Sequence, residues 1–231
     1  MNENTNLELA VDLIENQNPR CPCVLVLDTS GSMYGEAIDS LNQGLLEFKS
    51  QLQGHAAASK RVEVAIVTFD SSVQVVQDFV TVDNFEPPVL EAEGLTCMGS
   101  AIHQALDMVE ERKSMYRQYG TKYYRPWVFL ITDGEPQGEA DGVIEHAARR
   151  LREDSDQNRV AFYAVGVKGA NMDVLKELSP SAPPLPLAGL QFRELFQWLS
   201  NSMSSIASGG IGEQAPLAPV TSWSVAPTGH K

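Results

Sequence analysis

Cysteine is scarce in this chain of 231 residues, which has only three. Cys21 and Cys23 are separated by one residue, too close for an easy disulfide, and Cys97 would then have no partner. The sequence therefore offers no disulfide framework of the kind found in small secreted domains. A reducing, cytoplasmic location is the simplest interpretation.

Basic charge is also scarce, because 17 Lys and Arg residues stand against 30 Asp and Glu residues and give a formal net charge of −13. Such a chain repels phosphate backbones unless a local basic patch intervenes. The densest basic segment, residues 112–125, follows a run of glutamates and is typical of a solvated helix and loop. We therefore expect no nucleic-acid partner.

Long hydrophobic runs are missing too. No apolar stretch approaches the roughly 20 residues that a membrane-spanning helix needs. The amino terminus lacks the basic and then apolar pattern of a secretory signal. Hydrophobic residues make up 43% and charged residues 20% of the chain, as in ordinary soluble globular proteins. We expect a single large domain and no membrane association.

What the sequence does have is a buried strand that ends in a cluster of oxygen-bearing side chains. Residues 24–27 are apolar and are followed by Asp28, Ser30 and Ser32 at alternating positions. In an extended turn these oxygens converge at the carboxyl end of the strand, where open α/β sheets bind their ligands. One carboxylate and two hydroxyls are hard donors, which suit Mg²⁺, Mn²⁺ or Ca²⁺ better than zinc or copper.

Residues 28–32, Asp-Thr-Ser-Gly-Ser, resemble the D-x-S-x-S signature of von Willebrand factor type A (vWA) domains, whose metal ion-dependent adhesion site carries that motif. The family also has a threonine on a second loop and an aspartate on a third loop. Suitable residues of both types follow in the right order, and the resemblance covers roughly residues 18–207. It implies a site for one divalent cation formed by Asp28, Ser30, Ser32, Thr96 and Asp133.

In that family the serines bind the ion directly, the aspartates act largely through water, and the threonine binds directly in the ligand-engaged state. The resemblance implies that neutral oxygens from Ser30, Ser32 and Thr96 leave the ion much of its positive charge. One position then stays open for an Asp or Glu of a partner protein. The implied function is metal-dependent protein interaction without catalytic residues, with Mg²⁺ as the first choice and Mn²⁺ or Ca²⁺ as alternatives.

Further segments resemble the bacterial TerY/YegL-type branch of the family. They are residues 20–23, 67–69, 124–127 and 190–196. This resemblance implies a bacterial stress-response or tellurium-resistance-type signalling system. Domains of this branch accompany kinase- and phosphatase-like proteins, which are therefore candidate partners.

Ordinary local structure competes with the metal-site interpretation. Residues 28–32 could be a turn whose hydroxyls cap a helix, and Thr96 could be an N-cap. Asp133 and the glycine after it could form a plain turn. Taken together and in the family's order, however, the three segments favour a metal site.

Two other functions compete with protein interaction. The first is Mg²⁺-dependent phosphoryl transfer of the haloacid-dehalogenase type, which also places an aspartate after its first strand. Ser30 stands where that class has its second aspartate, and the chain lacks a phosphate-binding Gly-Lys-Ser/Thr loop. The second is a structural subunit whose metal only joins three loops. No nucleophile–base set can be assembled, so we expect a non-enzymatic protein.

Alternating strands and helices predict an α/β fold with a mostly parallel sheet. We expect strands at 24–27, 62–69, 73–80, 126–132, 160–167 and 185–187, and helices at 36–54, 101–116, 142–152, 171–178 and 192–206. The short turn at 70–72 predicts an antiparallel hairpin. The resemblance implies the Rossmann-like vWA fold, with six strands in the order 3-2-1-4-5-6, strand 3 antiparallel and helices on both faces.

The ends of the chain differ from this pattern. We expect an N-terminal extension at residues 1–17, the vWA domain at 18–207 and a flexible C-terminal tail at 208–231. Glycine, proline, serine and alanine dominate the tail, as in mobile linkers. Trp223 is unusual in such a linker and is a candidate to dock on the domain.

Overall fold

The computed structural model describes residues 13–209 and 223–224. Most of the expected N-terminal extension and C-terminal tail lies outside these residues. In the part of the chain that is described, no helix has the length and apolar character needed to cross a membrane.

One six-stranded sheet forms the centre of the molecule, in the strand order β3-β2-β1-β4-β5-β6. Only β3 runs antiparallel to its neighbour, and the other adjacent strands are parallel. The strands are β1 (Cys21–Asp28), β2 (Val62–Phe69), β3 (Val73–Thr81), β4 (Trp127–Thr132), β5 (Ala161–Gly166) and β6 (Leu185–Pro186). This arrangement confirms the predicted hairpin and the strand order that the family resemblance implies.

The side chains of the central strands alternate between the two faces of the sheet. Helices cover both faces, so each face has its own apolar core. One core contains residues of α1 (Glu36–Gln53), α2 (Ala56–Arg61) and α6 (Phe192–Ser208). The other contains residues of α3 (Met98–Tyr119), α4 (Val143–Asp156) and α5 (Met172–Leu178). All eight residues of β1 are buried, as expected for a strand with neighbours on both sides.

The helix α3 begins at Met98, three residues before the predicted start at position 101. The carboxylate of Glu139 accepts hydrogen bonds from the backbone nitrogens of Gly99 (2.8 Å) and Ser100 (2.6 Å). These are donors of the first helical turn, which have no partner within the helix. A residue so distant in the sequence thus fixes the start of α3. The six-residue α2 was not predicted, because it is too short to show a helical hydrophobic period.

The described residues of the tail contact the domain. The backbone nitrogen of Ala188 donates to the carbonyl oxygen of Trp223 at 2.6 Å, and Ser224 pairs with Leu187 in an antiparallel bridge. The Trp223 ring lies 5.0 Å from the ring of Trp198 on α6, measured between centroids, and is 1% exposed. Trp223 therefore docks beside β6 and adds to the core on that face.

Candidate metal centre

Asp28, the last residue of β1, is completely buried at the carboxyl edge of the sheet. The backbone nitrogen of Ser30 donates to its Oδ1 at 2.8 Å, and the hydroxyl of Thr132 donates to its Oδ2. Burial raises the pKa of Asp28, and the charge of Asp133 adds to the rise, although the hydrogen bonds from Ser30 and Thr132 oppose it. The carboxylate is thus held in one orientation by its own turn and by β4.

Two serines connect the first loop to the loop after β4. The Oγ atoms of Ser30 and Ser32 lie 3.0 Å apart, and the Ser32 hydroxyl donates to Oδ1 of Asp133 at 2.6 Å. Asp133 is half-buried, and its burial raises its pKa against the opposing effect of the Ser32 hydrogen bond. Polar oxygens from two strand ends therefore converge, because β1 and β4 are parallel neighbours.

Thr96 reaches the same place from a third loop. Its backbone exchanges two hydrogen bonds with Gln137, with nitrogen–oxygen distances of 3.2 and 3.0 Å. A Cβ atom added to Gly134 would lie 3.2 Å from Oγ1 of Thr96 and 3.5 Å from Oδ2 of Asp28. The threonine hydroxyl and the buried carboxylate thus approach a common point, and a glycine there leaves room for both. The structure brings together all five residues that the sequence singled out.

The chemistry of this donor set fits a hard cation. It consists of two carboxylates and three hydroxyls, and oxygen is the preferred ligand atom of Mg²⁺, Mn²⁺ and Ca²⁺. Among the described residues no Lys or Arg forms an ion pair with Asp28 or Asp133. The same part of the chain holds no group of three or more His, Cys, Asp and Glu residues able to bind a metal. Any cation here would therefore depend on the hydroxyls.

Sequence reasoning missed three residues that shape this centre. Thr132 orients Asp28, Gly134 gives space to Thr96, and Glu139 fixes the helix start that follows the Thr96 loop. Thr132 and Gly134 flank Asp133, so a search of its immediate neighbours could have found them. Glu139 has no such signal, because its partners lie 39 and 40 positions away.

The family model of the von Willebrand factor type A domain matches residues 23–185, which is more than half of the chain. The chain belongs to the vWA family. Members of this family are typically interaction modules rather than enzymes. A search among curated proteins finds no match.

Similar solved structures share the vWA fold at low sequence identity. The pilus adhesin SpaC from Lactobacillus rhamnosus GG, in its open conformation, is 14% identical with a TM-score of 0.66 over 83% of this chain and 31% of that chain. The vWF domain of the type V pili tip protein Mfa5 from Porphyromonas gingivalis is 10% identical with a TM-score of 0.60 over 84% of this chain and 98% of that chain.

A von Willebrand factor type A protein from Catenulispora acidiphila is 16% identical, with a TM-score of 0.57 over 81% of this chain and 43% of that chain. The chain thus spans less than half of this protein and of SpaC. At such identities the similarity shows the fold alone. The comparisons confirm the vWA family and fold, but they support neither the TerY/YegL-type branch nor the alternative phosphoryl-transfer function.

Proposed function

We propose that this vWA domain is a divalent-metal-dependent interaction module that binds an acidic side chain of a partner protein. The observation that carries this proposal is the row of oxygens from Ser30 through Ser32 to Asp133, beside the buried carboxylate of Asp28. Two carboxylates with no basic partner among the described residues make this edge of the sheet favourable for a cation.

The proposed ion is Mg²⁺, with Mn²⁺ and Ca²⁺ as alternatives. The residues that would hold it are Asp28, Ser30, Ser32, Thr96 and Asp133. When bound, the ion supplies a Lewis-acidic position that accepts a carboxylate. The hydroxyls of Ser30, Ser32 and Thr96 add no negative charge, so they preserve the attraction for an acidic side chain. Burial of Asp28 and Ser30 excludes water from one side of the site and strengthens that attraction.

Titration calorimetry with the metal ions alone tests the first half of this proposal. We expect one binding site for Mg²⁺ or Mn²⁺ in the full chain and none after Asp28→Asn. Asp83→Asn is the matched control, because Asp83 is exposed and follows β3 at the opposite edge of the sheet. Equal metal binding by Asp28→Asn and the wild type would overturn the site.

The partner half needs a protein-binding measurement. We expect specific proteins from native lysate to bind the immobilised chain in Mg²⁺ and to be released by a chelator. Thr96→Ala should lose the same proteins, since it removes one hydroxyl from the site. Retention of every bound protein in chelator would contradict a metal-dependent interaction.

We also propose a setting for this interaction: a bacterial stress-response or tellurium-resistance-type signalling system in the cytoplasm, with kinase- or phosphatase-like partners. The support is the resemblance of the four segments quoted above and the three cysteines, which are buried and free. Mass spectrometry of the proteins released by the chelator tests it. Recovery of pilus or cell-surface proteins instead would contradict this setting.

A further inference from the structure

Two large apolar side chains are exposed beside the proposed metal centre. Tyr34 comes two residues after Ser32 and is 81% exposed, and Leu95 comes directly before Thr96 and is 46% exposed. Single exposed apolar residues are common on protein surfaces, but these two lie on two loops that hold ligands of the same proposed ion. We call this pair of side chains, Tyr34 and Leu95, the apolar rim.

The two loops that carry the apolar rim contact each other directly. The backbone nitrogen of Gly31 donates to the carbonyl oxygen of Gly94 at 3.1 Å. A Cβ atom added to Gly31 would lie 3.4 Å from the same oxygen, so the two backbones are in close contact. Tyr34 follows Gly31 by three positions, and Leu95 follows Gly94 directly. The two apolar side chains therefore come from either side of one contact between the metal loops.

Local packing holds the apolar rim in place while leaving it exposed. Met33, directly before Tyr34, is completely buried and anchors the short turn that leads into α1. The backbone nitrogen of Leu95 donates to the hydroxyl of Ser71 at 3.0 Å. A Cβ atom added to Gly138 would lie only 2.8 Å from Cδ1 of Leu95, so the leucine packs against the backbone of the loop after β4. An apolar surface that is already ordered loses less entropy when a partner covers it.

The charges on the surrounding loops select what can lie beside the acidic group of a partner. Asp70 follows β2, Glu93 precedes the apolar rim on the Thr96 loop, and Glu135 follows β4. Lys168 is the one basic residue on the described loops at this edge, which comprise residues 29–35, 70–72, 91–97, 133–142, 167–171 and 187–191. Carboxylates of a partner that do not reach the ion would be repelled here, whereas uncharged and basic side chains would be tolerated or attracted.

We infer that the apolar rim binds a large apolar side chain that neighbours the metal-binding carboxylate of the partner. The partner segment is a loop with one aspartate or glutamate, an adjacent large apolar residue and no further acidic residues. This inference rests on the proposed metal-dependent function. It adds a specificity that the ion cannot supply, because the ion attracts any carboxylate, whereas Tyr34 and Leu95 favour a carboxylate with an apolar neighbour.

A display library of cyclic peptides with one fixed Asp or Glu and random residues on both sides tests this inference. The library is selected on the immobilised full chain in Mg²⁺ and eluted with EDTA. We expect the enriched peptides to carry a large aliphatic or aromatic residue next to the fixed acid and to lack further acidic residues. Enrichment without a preference at the neighbouring positions, or no enrichment by a chain that binds Mg²⁺, would overturn the inference.

Variants of the chain sharpen the test. Tyr34→Ser and Leu95→Ser should each weaken the binding of an enriched peptide by about tenfold or more. Both should keep the Mg²⁺ affinity of the wild type in titration calorimetry, because neither side chain belongs to the proposed donor set. Tyr119→Ser and Leu46→Ser are the matched controls and should change neither quantity, because these exposed residues lie at the far end of α3 and in the second half of α1.

Calorimetry distinguishes failure of the apolar rim from failure of the proposed function. A wild type that binds no Mg²⁺ would refute the metal site, and the proposed function with it. Normal Mg²⁺ binding together with equal peptide affinity for Tyr34→Ser, Leu95→Ser and the wild type would refute the apolar rim alone. Weaker Mg²⁺ binding by both variants would show that the two residues support the metal loops, which contradicts a direct contact with the partner.

Discussion

Two carboxylates are completely buried in this sheet. One lies at the amino edge, where the parallel strands begin, and the other lies at the carboxyl edge, where they end. Glu63, near the start of β2, is held by two nitrogens of Arg112 at 2.8 Å and by the hydroxyl of Tyr116, and Nε of Arg20 lies 3.4 Å away. Asp28, at the end of β1, receives one backbone and one hydroxyl hydrogen bond and no ion pair from the described residues. Both positions are 0% exposed.

The two carboxylates differ in charge balance. Glu63 belongs to a balanced cluster, whose charges are compensated within the fold, whereas Asp28 and Asp133 form an unbalanced one. Glu63 has basic partners within the fold, so its charge is balanced when the chain folds. Burial, followed by the charge of Glu63, raises the pKa of Tyr116 well above its ordinary value, so this hydroxyl stays a donor. At the opposite edge Asp28 and Asp133 have no such balance, and burial raises the pKa of both. A bound cation would complete that edge.

The largest predicted effect comes from breaking the balanced cluster around Glu63. Arg112→Met removes the bidentate partner and leaves Glu63 as a buried charge, which should lower the free energy of unfolding by about 3–5 kcal/mol. Urea denaturation measures this change. Arg117→Met, an exposed position on the same helix, should change it by less than about 0.5 kcal/mol. A small loss in Arg112→Met would mean that Arg20 and Tyr116 suffice for Glu63.

Neutralising Asp28, in contrast, should not destabilise the metal-free protein. In EDTA, Asp28→Asn should leave the free energy of unfolding unchanged within about 1 kcal/mol or raise it, because it removes an unbalanced buried charge. At a Mg²⁺ concentration of about 100 times the dissociation constant, the wild type should gain about 2.7 kcal/mol and the variant nothing.

Thermal or urea denaturation in the presence and absence of Mg²⁺ gives both quantities for Asp28→Asn. Asp83→Asn, which is exposed, should keep the full Mg²⁺ effect and serves as the control. A large loss of stability for Asp28→Asn in EDTA would show that Asp28 is balanced within the fold in a way that resembles Glu63.

Thr96→Ala separates an interaction site from a purely structural metal. Removing this hydroxyl should cost less than about 1 kcal/mol of stability, while binding of an acidic partner should fall by about tenfold or more. Partner binding in Mg²⁺ and urea denaturation measure the two effects. Thr121→Ala, a partly exposed position in the loop after α3, should change neither. Equal loss of stability and binding would favour the structural metal.

The two edges also differ in how far the sequence predicts them. Asp28 and Asp133 follow apolar runs directly, so the end of each strand and its polar side chain are visible locally, and parallel pairing brings the two strand ends together. The partner of Glu63 is 49 positions away, and Arg112 lies in a helical segment that reads as solvated surface. A residue whose partners are all distant in the sequence has no local pattern that indicates the contact, so the balanced cluster around Glu63 was not predicted.

The same reason accounts for the other differences in the fold. Glu139 sets the start of α3 although it lies 40 positions after Gly99, to which it is hydrogen-bonded. Nothing near Met98 in the sequence indicates that contact. For Trp223 the composition signals that it is unusual in the tail, but not that it packs on Trp198. Periodicity and strand ends are local properties, whereas caps, ion pairs and docking depend on tertiary contacts.

The smallest predicted effect is a pH dependence of stability that arises at the unbalanced cluster of Asp28 and Asp133. Because the pKa of folded Asp28 is raised above the value of 3.8, the folded state binds more protons than the unfolded state in a window above pH 3.8. The stability of the metal-free protein therefore gains from Asp28 protonation at low pH, and this gain is lost as the pH rises through the folded pKa.

A cation competes with that proton, so the stabilisation by Mg²⁺ should grow as the pH rises through the same window. Denaturation with Mg²⁺ and with EDTA at pH values from about 4 to 7 measures the difference. In EDTA, Asp28→Asn should remove most of this pH dependence of the stability, and the remainder should come from Asp133, whose pKa is also raised. A Mg²⁺ effect that is constant over this range would mean that protons and the cation do not share these carboxylates.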